Sequence, residues 1–235
     1  LAPLNRRAMK KQVQNAVDAG IPVVVFDSAV EGDAHSSFVA TDNHKGGALG
    51  AEHMLELLEG GEGDVMVMRF VQGTGSTEAR ARGFIETAGE AGVNIVADPY
   101  PETGTIEGAK NVAVNTLEGF VQDGRLELDG IFACNLLATL GVSSALDDLR
   151  KGGVEVAVNF VGFDTSKKLV EELQQGKLDA LVAQDPERMG YLAVQTTVKV
   201  VRGKPVDKVI DTGVKLVTRE ALANDREIRK LVGLE

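Results

Sequence analysis

The chain has 235 residues, 43% of them hydrophobic and 26% charged, with a formal net charge of −10. It is long enough to bury a sizeable core as one large or two smaller units, and no apolar run approaches the ~20 residues of a membrane-spanning helix. The acidic balance is spread along the chain and argues against a nucleic-acid partner, which requires a basic face.

The predicted elements alternate. A helical pattern from Ala8 to Ala19 is closed by Gly20 and followed by a strand, Ile21–Phe26. A loop rich in Asp, Gly and Ser leads to a short apolar stretch at Phe38–Thr41. A helix follows from about His44 to Leu58, stopped by Gly60 and Gly61. Next come strand Val65–Phe70, helix Ser76–Ala91, strand Ile95–Ala97 and helix Ile106–Val121. Strand Gly130–Cys134, helix Leu136–Leu149, strand Val156–Phe163 and helix Ser166–Gln175 continue the pattern, completed by strand Leu178–Ala183 and helix Pro186–Val201. After Lys204 and Pro205 the rhythm changes to two short strand candidates, Lys208–Asp211 and Val214–Val217, and a polar helical tail, Arg219–Val232. Such alternation means βαβ units, and therefore an α/β fold with doubly wound parallel sheets.

Four polar residues stand directly behind apolar strand candidates: Asp27, Asn135, Asp164 and Gln184. Strands that read as continuous apolar runs are buried on both faces, as in parallel sheets. In open parallel sheets ligands bind beyond the carboxyl ends of the strands. Four hydrogen-bonding side chains at four such ends describe a site for a small, polar, hydroxyl-rich molecule.

The loop VQGTGSTEAR joins a strand to a helix, with Gly73 and Gly75 turning the backbone and Ser76 or Thr77 as helix caps. It is neither a Walker nor a dinucleotide pattern. Arg80 and Arg82 lie early in that helix, where a cation opposes the dipole; reaching toward a ligand is one use for such an arginine. Asp27 and Asp164 form a pair of carboxylates of the kind glycosidases use, yet neither has a histidine, lysine or second carboxylate beside it in sequence to tune its pKa. Binding is therefore the reading they favour. His35, His44 and His53 have no metal-ligand spacing. The single cysteine, Cys134, excludes an internal disulfide and reads as a small hydrophobe on a buried strand.

The segments IPVVVFDS, VATDNHKGGALGAEHM, GTGSTEARARGF, GIFACNLLATLG, NFVGFDTS, GKLDALVAQDPERMGYLAV, GKPVDK and TGVKLVT occur in this order. Together they resemble the ribose-type branch of the periplasmic sugar-binding proteins, the type I solute-binding proteins of ABC transporters. The resemblance runs from Leu1 to about Val217. It implies a two-lobed fold, each lobe a doubly wound parallel sheet, closing over a monosaccharide or polyol. The first lobe would comprise residues 1–41 and 185–212, the second 42–184 and 213–218, with 219–235 as a tail. Carried over by position, the ligand-binding residues would be Asp27, Arg80, Asn135, Asp164 and Gln184. Arg80 takes precedence over Arg82 because it keeps the R-x-x-G-F spacing to Gly83 and Phe84. Hinge crossings would lie at Thr41–Asn43, Gln184–Asp185 and Thr212–Val214, with Asp42, Asn43, Asp185 and Gly213 as hinge residues.

The chain departs from the ribose-binding pattern at several positions. Ser28 replaces a second arginine after the aspartate, and Ala2 replaces an asparagine. Thr103 stands where an aromatic is expected, with Tyr100 as its substitute, and Leu136 takes an acidic position. Sugar-hydroxyl recognition survives these changes, but ribose as the particular ligand does not follow.

The implied function is extracytoplasmic capture of a sugar or polyol for a membrane permease, with no catalysis, no cofactor and no direct membrane insertion. The alternatives are the effector domain of a LacI-like repressor, which shares the R-x-x-G-F and G-F-D marks, and an α/β enzyme acting on sugars. The start, LAPLNRRAMKK, has no apolar signal region and no initiator Met. About two further βα units, roughly 60 residues, and a signal peptide or lipid anchor are therefore expected upstream. Without those units, the first lobe would have too little sheet to cover the helices at 8–19 and 186–201.

Overall fold

The computed structural model describes residues 1–59 and 61–235. In chain order the elements are α1 Lys10–Asp18, β1 Val24–Phe26, β2 Ser37–Ala40, α2 Asn43–Leu57, β3 Asp64–Met68, α3 Gly75–Glu90 and β4 Asn94–Ala97. They continue with α4 Ile106–Glu118, β5 Val121–Gln122, β6 Arg125–Leu126, β7 Gly130–Ala133, α5 Leu136–Lys151, β8 Asn159–Phe163 and α6 Lys167–Gln174. The last are β9 Ala180–Ala183, α7 Pro186–Val201, β10 Val209–Asp211, β11 Lys215–Thr218, α8 Arg219–Asn224 and α9 Arg226–Leu231. The expected helix stop at Gly60 falls outside the described residues.

Two separate sheets carry the fold. The larger has six strands in the order β11-β9-β8-β7-β3-β4, all parallel except β11, which runs antiparallel to β9 at the edge. Its strands alternate between two buried faces. Met66, Met68, Ile131 and Ala133 pack under α4 and α5, in a cluster that also takes in Leu222 of α8 and Ile228 of α9. Val65, Val67, Phe132 and Cys134 face the opposite layer, α2 and α3.

The smaller sheet has three parallel strands, β1-β2-β10. Val24 and Val39 pack on Met189 and Ala193 of α7, while Val25 and Phe38 pack with Val13 of α1 and Val30 on the other side. Both sheets are thus wrapped on two faces. The short apolar stretch Phe38–Thr41, to which no element was assigned, supplies most of the central strand of this sheet, Ser37–Ala40. Leu1 lies beside β1: its amine donates to the Val24 carbonyl (3.1 Å) and its carbonyl accepts from the Phe26 N–H (2.8 Å). On α7 a stripe at helical spacing stays exposed, with Tyr191 at 67%, Val194 at 66%, Val198 at 41% and Val201 at 69%.

Two expectations need correction. The helix from Ile106 ends at Glu118, and Val121 opens a short hairpin, β5–β6. Asp123 (φ 49°) and Gly124 (φ 78°) make its turn, the left-handed pair that a two-residue hairpin loop requires. The tail is two helices rather than one, because Asp225 leaves helical conformation and caps the second by accepting from the Glu227 and Ile228 N–H groups. Among the described residues, no helix is long and apolar enough to cross a membrane.

The chain passes between the sheets three times: from β2 to α2, from β9 to α7, and from β10 to β11. The first and third passages are tied together. The Thr41 hydroxyl donates to the Gly213 carbonyl (3.1 Å), and the Asp211 carboxylate accepts from the Asp42 and Gly213 N–H groups (3.0 and 2.8 Å).

Candidate functional site

A cavity of about 250 Å³ opens between the two sheets. All five residues expected at a ligand, Asp27, Arg80, Asn135, Asp164 and Gln184, line it. Asp27 follows β1, Asn135 follows β7, Asp164 follows β8 and Gln184 follows β9, while Arg80 comes from the second turn of α3. The strand-end geometry inferred from the apolar runs therefore brings residues from both sheets to one crevice.

The two aspartates share an unusual backbone. Asp27 (φ 62°) and Asp164 (φ 69°) are both left-handed, a conformation that Asp tolerates better than most residues and that concentrates at functional sites. Each N–H still completes a ladder, Asp27 to the Val39 carbonyl (3.0 Å) and Asp164 to the Val182 carbonyl (2.9 Å). The chain then turns sharply away and leaves the carboxylate at the cavity. Both occur in the same short sequence, Phe-Asp followed by Ser28 or Thr165.

Arg80 is 3% exposed. Its Nε donates to Asn43 Oδ1 (2.8 Å) and one terminal nitrogen donates to the Cys134 carbonyl (3.1 Å), the same nitrogen lying 3.6 Å from an Asp164 carboxylate oxygen. The guanidinium also lies over the Phe163 ring, 3.8 Å from its centroid. What puts Arg80 there is a close crossing of α2 and α3. A Cβ at Gly47 would run into the Arg80 carbonyl, and one at Gly83 would run into the His44 carbonyl. Each helix thus offers a glycine to the other's backbone, and only glycine permits that approach.

The polar groups divide into engaged and free. Asp164 accepts from the Leu136 N–H (3.0 Å) and from Gln184 Nε2 (2.7 Å). Asn135 Oδ1 caps α5 by accepting from the Ala138 N–H (2.9 Å), which leaves its amide N–H groups to the cavity. Gln184 Oε1 is buried without a partner. Among the described residues the Asp27 carboxylate accepts no hydrogen bond. Burial pushes the Asp27 carboxyl above the usual carboxylate range; Arg80 opposes that shift and Asp164 adds to it. Burial also lowers the Arg80 pKa, against the pull of both aspartates, and an arginine remains charged nonetheless.

The expected hinge residues have structural roles at the passages. Asp42 caps α2 by accepting from the Lys45 N–H, and Asp185 caps α7 by accepting from the Arg188 N–H. Asn43 holds Arg80 and donates to the Thr41 carbonyl, and Gly213 is left-handed, with φ 81°. Arg82 is exposed, away from the cavity. Cys134 is buried and its thiol is pushed up to about 12, so the sulfur is inert.

Tyr100 does not replace an aromatic in the cavity. Its hydroxyl donates to Glu78 and its ring carries the Arg69 guanidinium; the aromatic at the cavity is Phe70. Sequence reading also missed Thr74, Ser76 and Thr77, which line the cavity from the start of α3, and Asp211 at the passage. Ser28 meets Ser76 across the gap between the sheets, hydroxyl to hydroxyl at 3.0 Å. The T-G-S-T run was visible as a helix start, but nothing in it indicates which hydroxyls face inward.

Comparison with known proteins agrees with this architecture. The ribose import binding protein of Bacillus subtilis is 30% identical over 93% of this chain and 67% of its own length. An ABC transporter solute-binding protein from Agrobacterium vitis with bound D-fucose superposes with a TM-score of 0.88 at 33% identity, covering 99% of this chain and 77% of that one. A carbohydrate transporter solute-binding protein from Agrobacterium radiobacter, in complex with D-arabinose, gives 0.87 at 30% identity over 98% and 77%. The fold is that of the two-lobed type I binding proteins, with the smaller sheet an incomplete lobe. The family model described as "Periplasmic binding protein domain" matches residues 1–205; with strand-end polar residues from two sheets around one crevice, the chain belongs to the periplasmic binding protein domain family.

Proposed function

We propose that the protein captures a monosaccharide or polyol between two lobes, outside the cytoplasm, and delivers it unchanged to the membrane permease of an ABC transporter. The lobes are residues 1–41 with 185–212 and residues 42–184 with 213–218, and they move about the three passages between the sheets. One observation carries this reading: the cavity gathers free acceptors at Asp27 and Gln184 and free donors at Asn135. A hydroxyl both donates and accepts, so a molecule bearing several of them satisfies such a mixed set where a purely donating or accepting ligand does not. Charge-assisted bonds to Asp27, Asp164 and Arg80 supply the stronger part of the affinity.

The named relatives, transport binding proteins for ribose, fucose or arabinose, support the same class of ligand. No observation favours the repressor reading. Thermal-shift screening of pentoses, hexoses, inositols and their amino derivatives should raise the unfolding temperature for at least one of them, and that compound should be recovered unaltered after prolonged incubation. Its conversion to a product would refute the reading, as would a panel with no response.

A further inference from the structure

We infer that Thr139, a residue of α5 that is fully buried and does not itself line the cavity, is a positioning residue for the binding site. Its hydroxyl fixes the ends of β7 and β8 against each other, and with them Asn135 and Asp164. This rests on the binding function proposed above and adds a residue to its machinery.

Thr139 Oγ1 accepts from the Phe163 N–H (3.1 Å) and donates to the Asn135 carbonyl (2.8 Å), with the Phe163 carbonyl 3.2 Å away. A helical threonine bonding back to the carbonyl four residues earlier is commonplace, and that contact alone would carry nothing. The contact with Phe163 is different, because it stands in for a rung of the sheet. The pairing of β7 with β8 ends at Phe132 and Val161. The Asp164 N–H turns toward β9, to the Val182 carbonyl, so the Phe163 N–H, one residue earlier, points to the β7 side. A buried N–H there requires an acceptor, and the Thr139 hydroxyl meets it. Gly162 makes the room: a Cβ at that position would run into the Thr139 methyl.

Three cavity-lining residues depend on this hydroxyl. Asn135, whose carbonyl it holds, is the cap of α5. Asp164 directly follows Phe163 and has a left-handed backbone (φ 69°), a conformation that persists only where its surroundings over-determine it. The Phe163 ring lies against the Arg80 guanidinium, 3.8 Å from ring centroid to charge. Without the hydroxyl, the Phe163 N–H is left unpaired in the core, and a shift of the β8 end that relieved it would carry Asp164 and the ring along. Every group in this chain of contacts belongs to the larger sheet and the helices packed on it.

Two substitutions separate the hydroxyl from the methyl. Thr139→Val keeps the volume and removes the hydroxyl, whereas Thr139→Ser keeps the hydroxyl and removes the methyl. The test is titration calorimetry of the whole protein, with the tightest binder among the screened pentoses, hexoses and inositols as probe, D-ribose, D-fucose and myo-inositol included. Thr139→Val should bind it about tenfold more weakly than the native protein, and Thr139→Ser within about threefold of it. Thr139→Ala compared with Thr139→Ser measures the hydroxyl a second time at smaller volume, and the alanine variant should again be weaker by about tenfold. In an Asp164→Ala background the effect of Thr139→Val should shrink below about threefold, because a group it positions is gone. Native affinity in Thr139→Val and Thr139→Ala would overturn the inference alone. So would affinities that follow thermal stability whether or not the hydroxyl is kept, or an undiminished effect beside Asp164→Ala. Failure of every compound to bind the native protein would overturn the binding function as well.

Discussion

Asp27 and Asp164 end their strands in the same left-handed conformation, but only Asp164 is tied down by protein donors. The difference has a consequence for stability. A carboxyl whose pKa is raised in the folded protein favours the protonated native state, so its charge weakens the fold as pH climbs through the raised value. Asp27→Asn should therefore unfold at a higher temperature than the native protein at neutral pH, and the gap should narrow toward pH ~3, where the native side chain is protonated too. A gap independent of pH would mean that backbone preference, not charge, separates the two. Among the arginines, Arg80→Ala should cost about 2–5 kcal/mol of binding, because it strands Asp164 and Asn43 in a closed cleft. Arg82→Ala should stay within about 0.5 kcal/mol, and equal losses in calorimetry would contradict the assignment. At this scale the sequence was legible where a polar residue followed an apolar run. It was not legible for Ser76 or Phe70, whose orientation depends on how α3 and β3 are packed rather than on any local pattern.

Between elements, the α2–α3 crossing is the contact on which the placement of Arg80 depends. Gly47→Ala would force the two backbones apart and should destabilise the protein by about 1–3 kcal/mol, with a loss of ligand affinity. Gly89→Ala, on the same α3 but with open space around it, should stabilise by up to about 1 kcal/mol through helix propensity. Denaturant unfolding of both variants checks the contrast, and a neutral Gly47→Ala would show that the helices can separate freely. The glycine run N-H-K-G-G-A-L-G was present in the sequence, but as a helix it carried only a propensity penalty; the reason for it is a partner helix distant in sequence. The alternation of strands and helices was legible from β3 to α7 apart from the β5–β6 hairpin, because buried parallel strands and amphipathic helices leave different periods. The β5–β6 hairpin was missed although Asp123-Gly124 is a strong hairpin signal, since its strands are too short to show a period. The break at Asp225 was missed because a cap in mid-pattern resembles an exposed helical aspartate.

The molecule as a whole joins two sheets by three passages, two of which are bonded to each other through Thr41, Asp211 and Gly213. Such an arrangement allows rigid lobes to close about short connecting segments, and the radius of gyration from small-angle scattering should fall when ligand is added. An unchanged value at saturating ligand would contradict closure. On α7 the apolar side chains of Tyr191, Val194, Val198 and Val201 stay exposed, whereas on α1 Val13 is buried against β1. The central claim is that one polyhydroxylated ligand binds in the cavity between the sheets, held by strand-end side chains. Its most direct test is titration calorimetry of the best-binding compound against native protein and Asp164→Ala in parallel. The native protein should bind one ligand per chain, and the variant, still folded, should lose about 2–5 kcal/mol. Equal affinity in the two would place the ligand elsewhere and contradict the account.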